Sequence, residues 1–163
     1  MLEIEKTFLL NEIPGNLSSY KSEQIKQGYL SSPPSPLRIR KKGNKFELTK
    51  KLPTKEGDYS SAEEINIPLT EYEFNKLWPL TERSLEKIRY YVPLDNNLMA
   101  ELDVFQENLK GLAFVEVEFL SEEQMKSFQS PKWFGKDVTQ EDFSSNSFLA
   151  GKSFSEIEPY LKG

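Results

Sequence analysis

Leu2-Glu3-Ile4-Glu5 at the start of the chain and Phe114-Val115-Glu116-Val117-Glu118-Phe119 near its far end share one alternation, an apolar residue and then a glutamate. Leu37-Arg38-Ile39-Arg40 and Glu86-Lys87-Ile88-Arg89-Tyr90 carry the same alternation with cations. Residues two apart on an extended strand point to the same face. Both members of each charged pair therefore face one way, and their apolar neighbours face the other. A dry two-sheet core would bury such charges at heavy cost. A sheet closed into a barrel with a polar lumen gives them water and ligands as partners. The pattern predicts an α+β protein: an antiparallel eight-stranded β-barrel, closed or nearly closed, with peripheral helices.

Working outward from these runs, the rest of the chain reads as strands and short connections. Residues 2–10 form the first strand, ended by Pro14-Gly15-Asn16. A short helical or irregular stretch near 17–23 leads to a strand at 24–30. Ser31–Pro36 is a stiff, proline-rich connector. Strands at 37–42 and 45–51 flank the hairpin turn Gly43-Asn44, and a polar loop over 52–61 precedes a strand at 62–67. Strands at 83–92 and 98–105 flank Asp95-Asn96-Asn97, and a further strand spans 112–119. Three helices start at Thr70 with Glu73, Ser121 with Gln124, and Ser153 with Glu156, each a capping signature followed by an apolar stripe. Trp78, Trp133 and Phe134 read as core and barrel-end packing.

The 163 residues make one domain, 1–163, with enough chain to bury a substantial core. Lys+Arg total 21 against 26 Asp+Glu, a net charge of -5, which disfavours a broad basic surface for nucleic acid. No cysteine or histidine occurs. That excludes disulfides, zinc–thiolate sites, cysteine nucleophiles and imidazole bases. Any metal must be held by oxygen, which favours Mg2+ or Mn2+ and also admits calcium. A general base must be a carboxylate, a lysine, a tyrosine or metal-bound water. No apolar run is long enough to span a membrane, and the start of the chain does not read as a secretory signal. Cytoplasmic location is the expectation, with no membrane partner and a monomer or homodimer as the assembly.

On a shared lumen, carboxylates on separate strands suit a hard dication, and clustered arginines and lysines suit polyphosphate. Glu3, Glu5, Glu116 and Glu118 are the expected metal ligands. Arg38, Arg40, Lys51, Lys87 and Arg89 are the expected phosphate clamp, with Lys50 as the alternative to Lys51. Glu64 and Asp103 either join the metal site or anchor salt bridges in the wall, and Glu101 is of the same rank.

Taken in order, these motifs resemble the CYTH superfamily, the triphosphate tunnel metalloenzymes. The hallmark Glu-x-Glu-x-Lys is matched at Glu3 and Glu5. Gln27-Gly28-Tyr29-Leu30, Leu37–Arg40, Leu48-Thr49-Lys50-Lys51, Glu64–Ile67, Glu86–Tyr90, Glu101–Phe105, Val115–Phe119 and Val138-Thr139 continue the series across nearly the whole chain. There are three departures. Thr7 stands at the hallmark lysine, the cation before Glu63-Glu64 is missing over Ser60–Ala62, and Asp142-Phe143-Ser144 follow Val138-Thr139 in place of basic and aromatic residues.

The resemblance implies metal-dependent hydrolysis of a triphosphate-containing small molecule, most simply inorganic triphosphate. It also implies a catalytic pair, Lys51 with Tyr29. Two alternatives follow from the same resemblance. One is a class IV adenylate cyclase releasing pyrophosphate and cyclic AMP from ATP. The other is a binding domain weakened in turnover by Thr7.

Overall fold

The computed structural model describes residues 1–31 and 36–162. Most of the expected connector, residues 32–35, lies outside the described residues. The strands are β1 (Leu2–Leu10), β2 (Lys21–Tyr29), β3 (Leu37–Lys42), β4 (Lys45–Pro53), β5 (Ser61–Leu69), β6 (Arg83–Pro93), β7 (Met99–Phe105), β8 (Ala113–Phe119) and β9 (Phe134–Asp137). The helices are α1 (Glu71–Leu77), α2 (Glu122–Ser127), α3 (Asn146–Leu149) and α4 (Phe154–Leu161). Four of the strands are joined in sequence order as β2–β3–β4–β5, and β2 also pairs with β6, which leads through β7 and β8 to β1. Pairing of β1 with β5 closes an eight-stranded barrel, and β9 adds a ninth strand on β1. Every strand pair is antiparallel.

Local chemistry sets the turns. Lys42 pairs with Lys45 across Gly43-Asn44, and Gly43 takes a φ of +57°, the left-handed conformation that tight hairpins need. Gly28 has a different reason. A Cβ there would lie 2.6 Å from Thr81 and 3.0 Å from Trp78, so only glycine lets the Trp78 turn pack onto the outer face of β2.

Two apolar clusters stabilise the barrel from different sides. The outward residues Ile4, Phe8, Ala100, Leu102, Val115 and Val117 are covered by Phe134 of β9 and by Met125 and Phe128 at α2. Trp133 and Phe134 are core residues, as expected, but the core they join lies outside the wall and not at the barrel end. The barrel end is closed instead by the C-terminal segment. Phe143, Leu149, Ala150 and Ile157 pack against Tyr29, Leu85, Phe105 and Phe114, the last inward residues of β2, β6, β7 and β8 at that end. Neither β9 nor α3 was expected. Each is four residues long, too short for a periodic signal, although Ser145 does cap α3. The second strand also starts at Lys21, three residues earlier than its composition suggested. No helix among the described residues is long and apolar enough to cross a membrane.

Along β1 the wall forks. Its first residues pair with β5 and its last with β9. At the fork the Thr7 amide donates to Thr139 Oγ1 at 3.0 Å, and the Val138 amide donates to Thr7 O at 2.8 Å. A cavity of about 580 Å³ lies here, bounded by Glu5, Thr7, Tyr29, Arg38 and Lys51 from the barrel and by Thr139 and Ser144–Phe148 from the C-terminal segment.

Candidate functional site

Strand alternation carries the charged pairs inward, and register decides which of them meet. Glu5 lies opposite Glu118 and Thr7 opposite Glu116 across β1 and β8. Arg89 lies opposite Asp103 across β6 and β7, and Glu101 opposite Glu116 across β7 and β8. The resulting polar channel, about 90 Å³, is lined by Glu3, Glu5, Glu64, Glu101, Glu116 and Glu118 together with Arg38, Arg40, Lys42, Lys51 and Arg89. It shares Glu5, Arg38, Lys51, Glu116 and Asn146 with the larger cavity at the fork, so the two spaces are continuous.

Glu3, Glu5 and Glu118 each present a carboxylate oxygen within 4.8 Å of the others. An all-oxygen set at this spacing fits a hard dication. Glu116 adjoins the group but faces Arg89 at 3.5 Å. Glu64 shares a hydrogen bond with Glu3 and accepts one from Asn66 at 2.8 Å. Lys51 Nζ bridges Glu3 at 2.6 Å and Glu5 at 3.0 Å. Lys50, by contrast, lies opposite Ile65 in the register, on the outer face.

Burial, with Glu5 close by, pushes the Glu3 carboxyl up to about 7 against the pull of Lys51. Partial burial, reinforced by Glu101, Glu3 and Glu116, also takes Glu118 to about 7. Glu5 is raised by burial too, opposed by Lys51. Burial alone would lower Lys51, but Glu5 and Glu3 outweigh it and hold the ammonium well above its ordinary range.

A consequence for stability follows. A carboxyl whose folded pKa is raised holds its proton where the unfolded chain has already released it. That contribution is lost as pH climbs from the ordinary 4.5 through about 7. Without divalent cation, the protein is expected to melt at a lower temperature at about pH 8 than at about pH 5.5, and Mg2+ should recover the loss at pH 8. Differential scanning calorimetry at the two pH values checks this. A metal-free melting temperature that rises over that interval would contradict the assignment.

Of the two parts expected for Asp103, a metal ligand or a salt-bridge anchor in the wall, its contacts are those of the anchor. It is fully enclosed, and its oxygens accept from Lys87 Nζ at 2.7 Å and from Arg89 Nε at 2.8 Å and Nη2 at 3.0 Å. Burial alone would raise this carboxyl, but Arg89 and Lys87 hold it at about 2. Lys87 and Arg89 face the lumen, yet their donors are largely committed: Arg89 also reaches Glu101 at 3.1 Å. Arg40 is paired with Glu47.

Arg38 and Lys42, by contrast, have no carboxylate within salt-bridge distance among the described residues. Arg38 Nε is buried without a partner. Both lie on β3, across the barrel from β8. Lys42 was missed by sequence reading, although its signal was present, two residues beyond Arg40 on the same face. Tyr29 is buried at the closed end, where its hydroxyl oxygen accepts from Gln27 Nε2 at 2.9 Å and from Arg38. With its oxygen so engaged, its own proton is free to be donated. Tyr29 and Lys51 line the larger cavity together without bonding each other.

No protein-family model matches the chain. Over 155 residues it is 42% identical to an inorganic triphosphatase of Nitrosomonas europaea, covering 92% of this chain and 97% of that protein. A crystal structure of an inorganic triphosphatase superposes with a TM-score of 0.67 at 36% identity, over 91% of this chain and 93% of the other. An adenylyl cyclase-like protein from Hippeastrum with a dominant triphosphatase activity superposes with a TM-score of 0.57 at 19% identity, over 76% of this chain and 82% of that one. At that identity the likeness is one of fold.

Proposed function

For a chain that belongs to the CYTH, or triphosphate tunnel metalloenzyme, superfamily, we propose hydrolysis of a triphosphate compound, most simply inorganic triphosphate, to orthophosphate and pyrophosphate. One observation carries this reading. In a closed barrel, the carboxylates Glu3, Glu5 and Glu118 gather on one wall while Arg38 and Lys42 stand unneutralised on the opposite wall. The likeness to an inorganic triphosphatase at 42% identity supports the same substrate.

The lining also supports a need for metal. Six carboxylates face five cations in the channel, so the protein alone offers a polyanion no net positive field. Glu3, Glu5 and Glu118, with Glu116 beside them, are the residues that would hold Mg2+ or Mn2+. An ion held there would neutralise phosphate oxygens and lower the pKa of the attacking water.

This chain's own residues do the rest. Arg38 offers a planar fork for bidentate phosphate contact, Lys42 a point charge toward the far mouth, and Arg40 a third cation between them, tethered by Glu47. Arg89 and Lys87, locked on Asp103, act as fixed positive charge in the wall. We assign Tyr29 and Lys51 to the reacting phosphate. Water oxygen bonds to the terminal phosphorus, and the bond to the bridging oxygen breaks. The Tyr29 hydroxyl is placed to donate a hydrogen bond to phosphate oxygen, the charged Lys51 to donate one to the oxygen that gathers charge as the bond breaks, and the water's proton ends on a phosphate oxygen of the products. Asp103, once expected among the metal ligands, is assigned to holding Lys87 and Arg89. The reading is of a cytoplasmic enzyme with a small-molecule substrate and no nucleic-acid or membrane partner.

The deciding assay supplies inorganic triphosphate or ATP with Mg2+ or Mn2+ and identifies the products. Equal amounts of orthophosphate and pyrophosphate from inorganic triphosphate are expected, and chelation should stop their release. Cyclic AMP with pyrophosphate from ATP, and no turnover of inorganic triphosphate, would replace this reading with the cyclase one.

A further inference from the structure

Lys87 carries its ammonium at the floor of the channel with 1% of its surface exposed. Two of its three protons are donated to Asp103 Oδ2 at 2.7 Å and to Asn146 Oδ1 at 3.1 Å. An ammonium has donors only, so the Asn146 amide must turn its oxygen toward Lys87 and its Nδ2 away. That Nδ2 has no partner among the described residues, and the side chain lines both the polar channel and the larger cavity.

A bond from a buried cation draws charge from the amide and makes its N–H groups stronger donors. The next residue adds an independent sign of a ligand. Ser147 Oγ is buried without a partner and also lines the larger cavity. From this segment, Asn146 and Ser147 bring neutral donors to the same cavity that Arg38 and Lys51 line from the barrel.

We propose that Asn146 is a phosphate-binding residue whose Nδ2 donates to the phosphate at the closed end of the channel, passing on the charge of the enclosed Lys87. The proposal rests on the triphosphate reading of the channel. Through Asn146, a cation too enclosed to meet the ligand directly still acts on it.

Asn146→Asp separates this role from mere capping of Lys87. The variant keeps the shape and gives Lys87 a carboxylate, so a residue that only caps Lys87 would leave stability and KM as they were. A phosphate donor would instead become an anion facing an anion. KM for inorganic triphosphate should rise about tenfold or more, with kcat less affected and the melting temperature not lowered. Asn146→Ala should raise KM by about threefold to tenfold. Calorimetric binding of inorganic triphosphate to both variants and the native chain reads the same contact without turnover. A native chain that binds but does not hydrolyse would end the hydrolase reading, and the two variants' affinities would still decide Asn146. Native-like KM and native-like binding in Asn146→Asp overturn the proposal.

Discussion

Lys51→Ala is expected to slow hydrolysis of inorganic triphosphate by about a hundredfold or more, the contribution of a charged hydrogen-bond donor aimed at the charge that develops in the transition state. The expectation comes from placement. Lys51 Nζ lies 2.6 Å from Glu3 and 3.0 Å from Glu5, and it shares the larger cavity with Tyr29 and Arg38. Removing it also leaves two neighbouring carboxylates without their cation. Metal affinity, measured by calorimetry, should therefore be retained or raised while turnover falls. A variant that keeps native kcat would remove Lys51 from the catalytic pair. A variant that loses metal binding along with activity would give it a structural part instead.

The largest stability effect is expected at Asp103. Asp103→Ala strands the Lys87 ammonium and the Arg89 guanidinium in the wall, each nearly without solvent contact. Breaking a buried ion pair by deleting one partner costs about 3–5 kcal/mol. The urea midpoint should drop accordingly, with the m-value unchanged. Glu118→Gln provides the contrast. That carboxyl is only partly enclosed, and removing its charge relieves both its desolvation and its repulsion with Glu101, Glu3 and Glu116, so stability should hold or rise while metal affinity falls. The pH response of the Asp103 contribution has a fixed sign. Its folded pKa is depressed to about 2, so the stabilisation is present above the ordinary 3.8 and lost as pH falls toward 2. Equal urea midpoints for native protein and Asp103→Ala would show that this cluster is not what holds the β6–β7 wall together.

These two residues mark the boundary between what a strand pattern encodes and what it does not. Period-two alternation is a local property of the chain. It was enough to send Glu3, Glu5, Arg38, Arg40, Lys87, Arg89, Glu116 and Glu118 to one face, and a closed barrel was the architecture in which that face could be charged. The capping signatures at Thr70, Ser121 and Ser153 are equally local, and each starts a helix in the structure.

What the alternation left open is which inward charges neutralise one another, because that depends on register between strands far apart in sequence. Asp103 was legible as an inward carboxylate, but only the pairing of β6 with β7 sets it against Arg89 and makes it a wall anchor. The same register commits Lys87 and Arg89 and leaves Arg38 and Lys42 open. The closed end is likewise a tertiary outcome. Phe143, Leu149 and Ile157 read as ordinary apolar residues, and only packing against Tyr29, Leu85 and Phe114 turns them into a floor that brings Asn146 to Lys87. The chain's own sequence determined the barrel and the chemistry of its lining. The tertiary structure decided which charges remain for a ligand, since a charge is available only where no neighbour has already neutralised it.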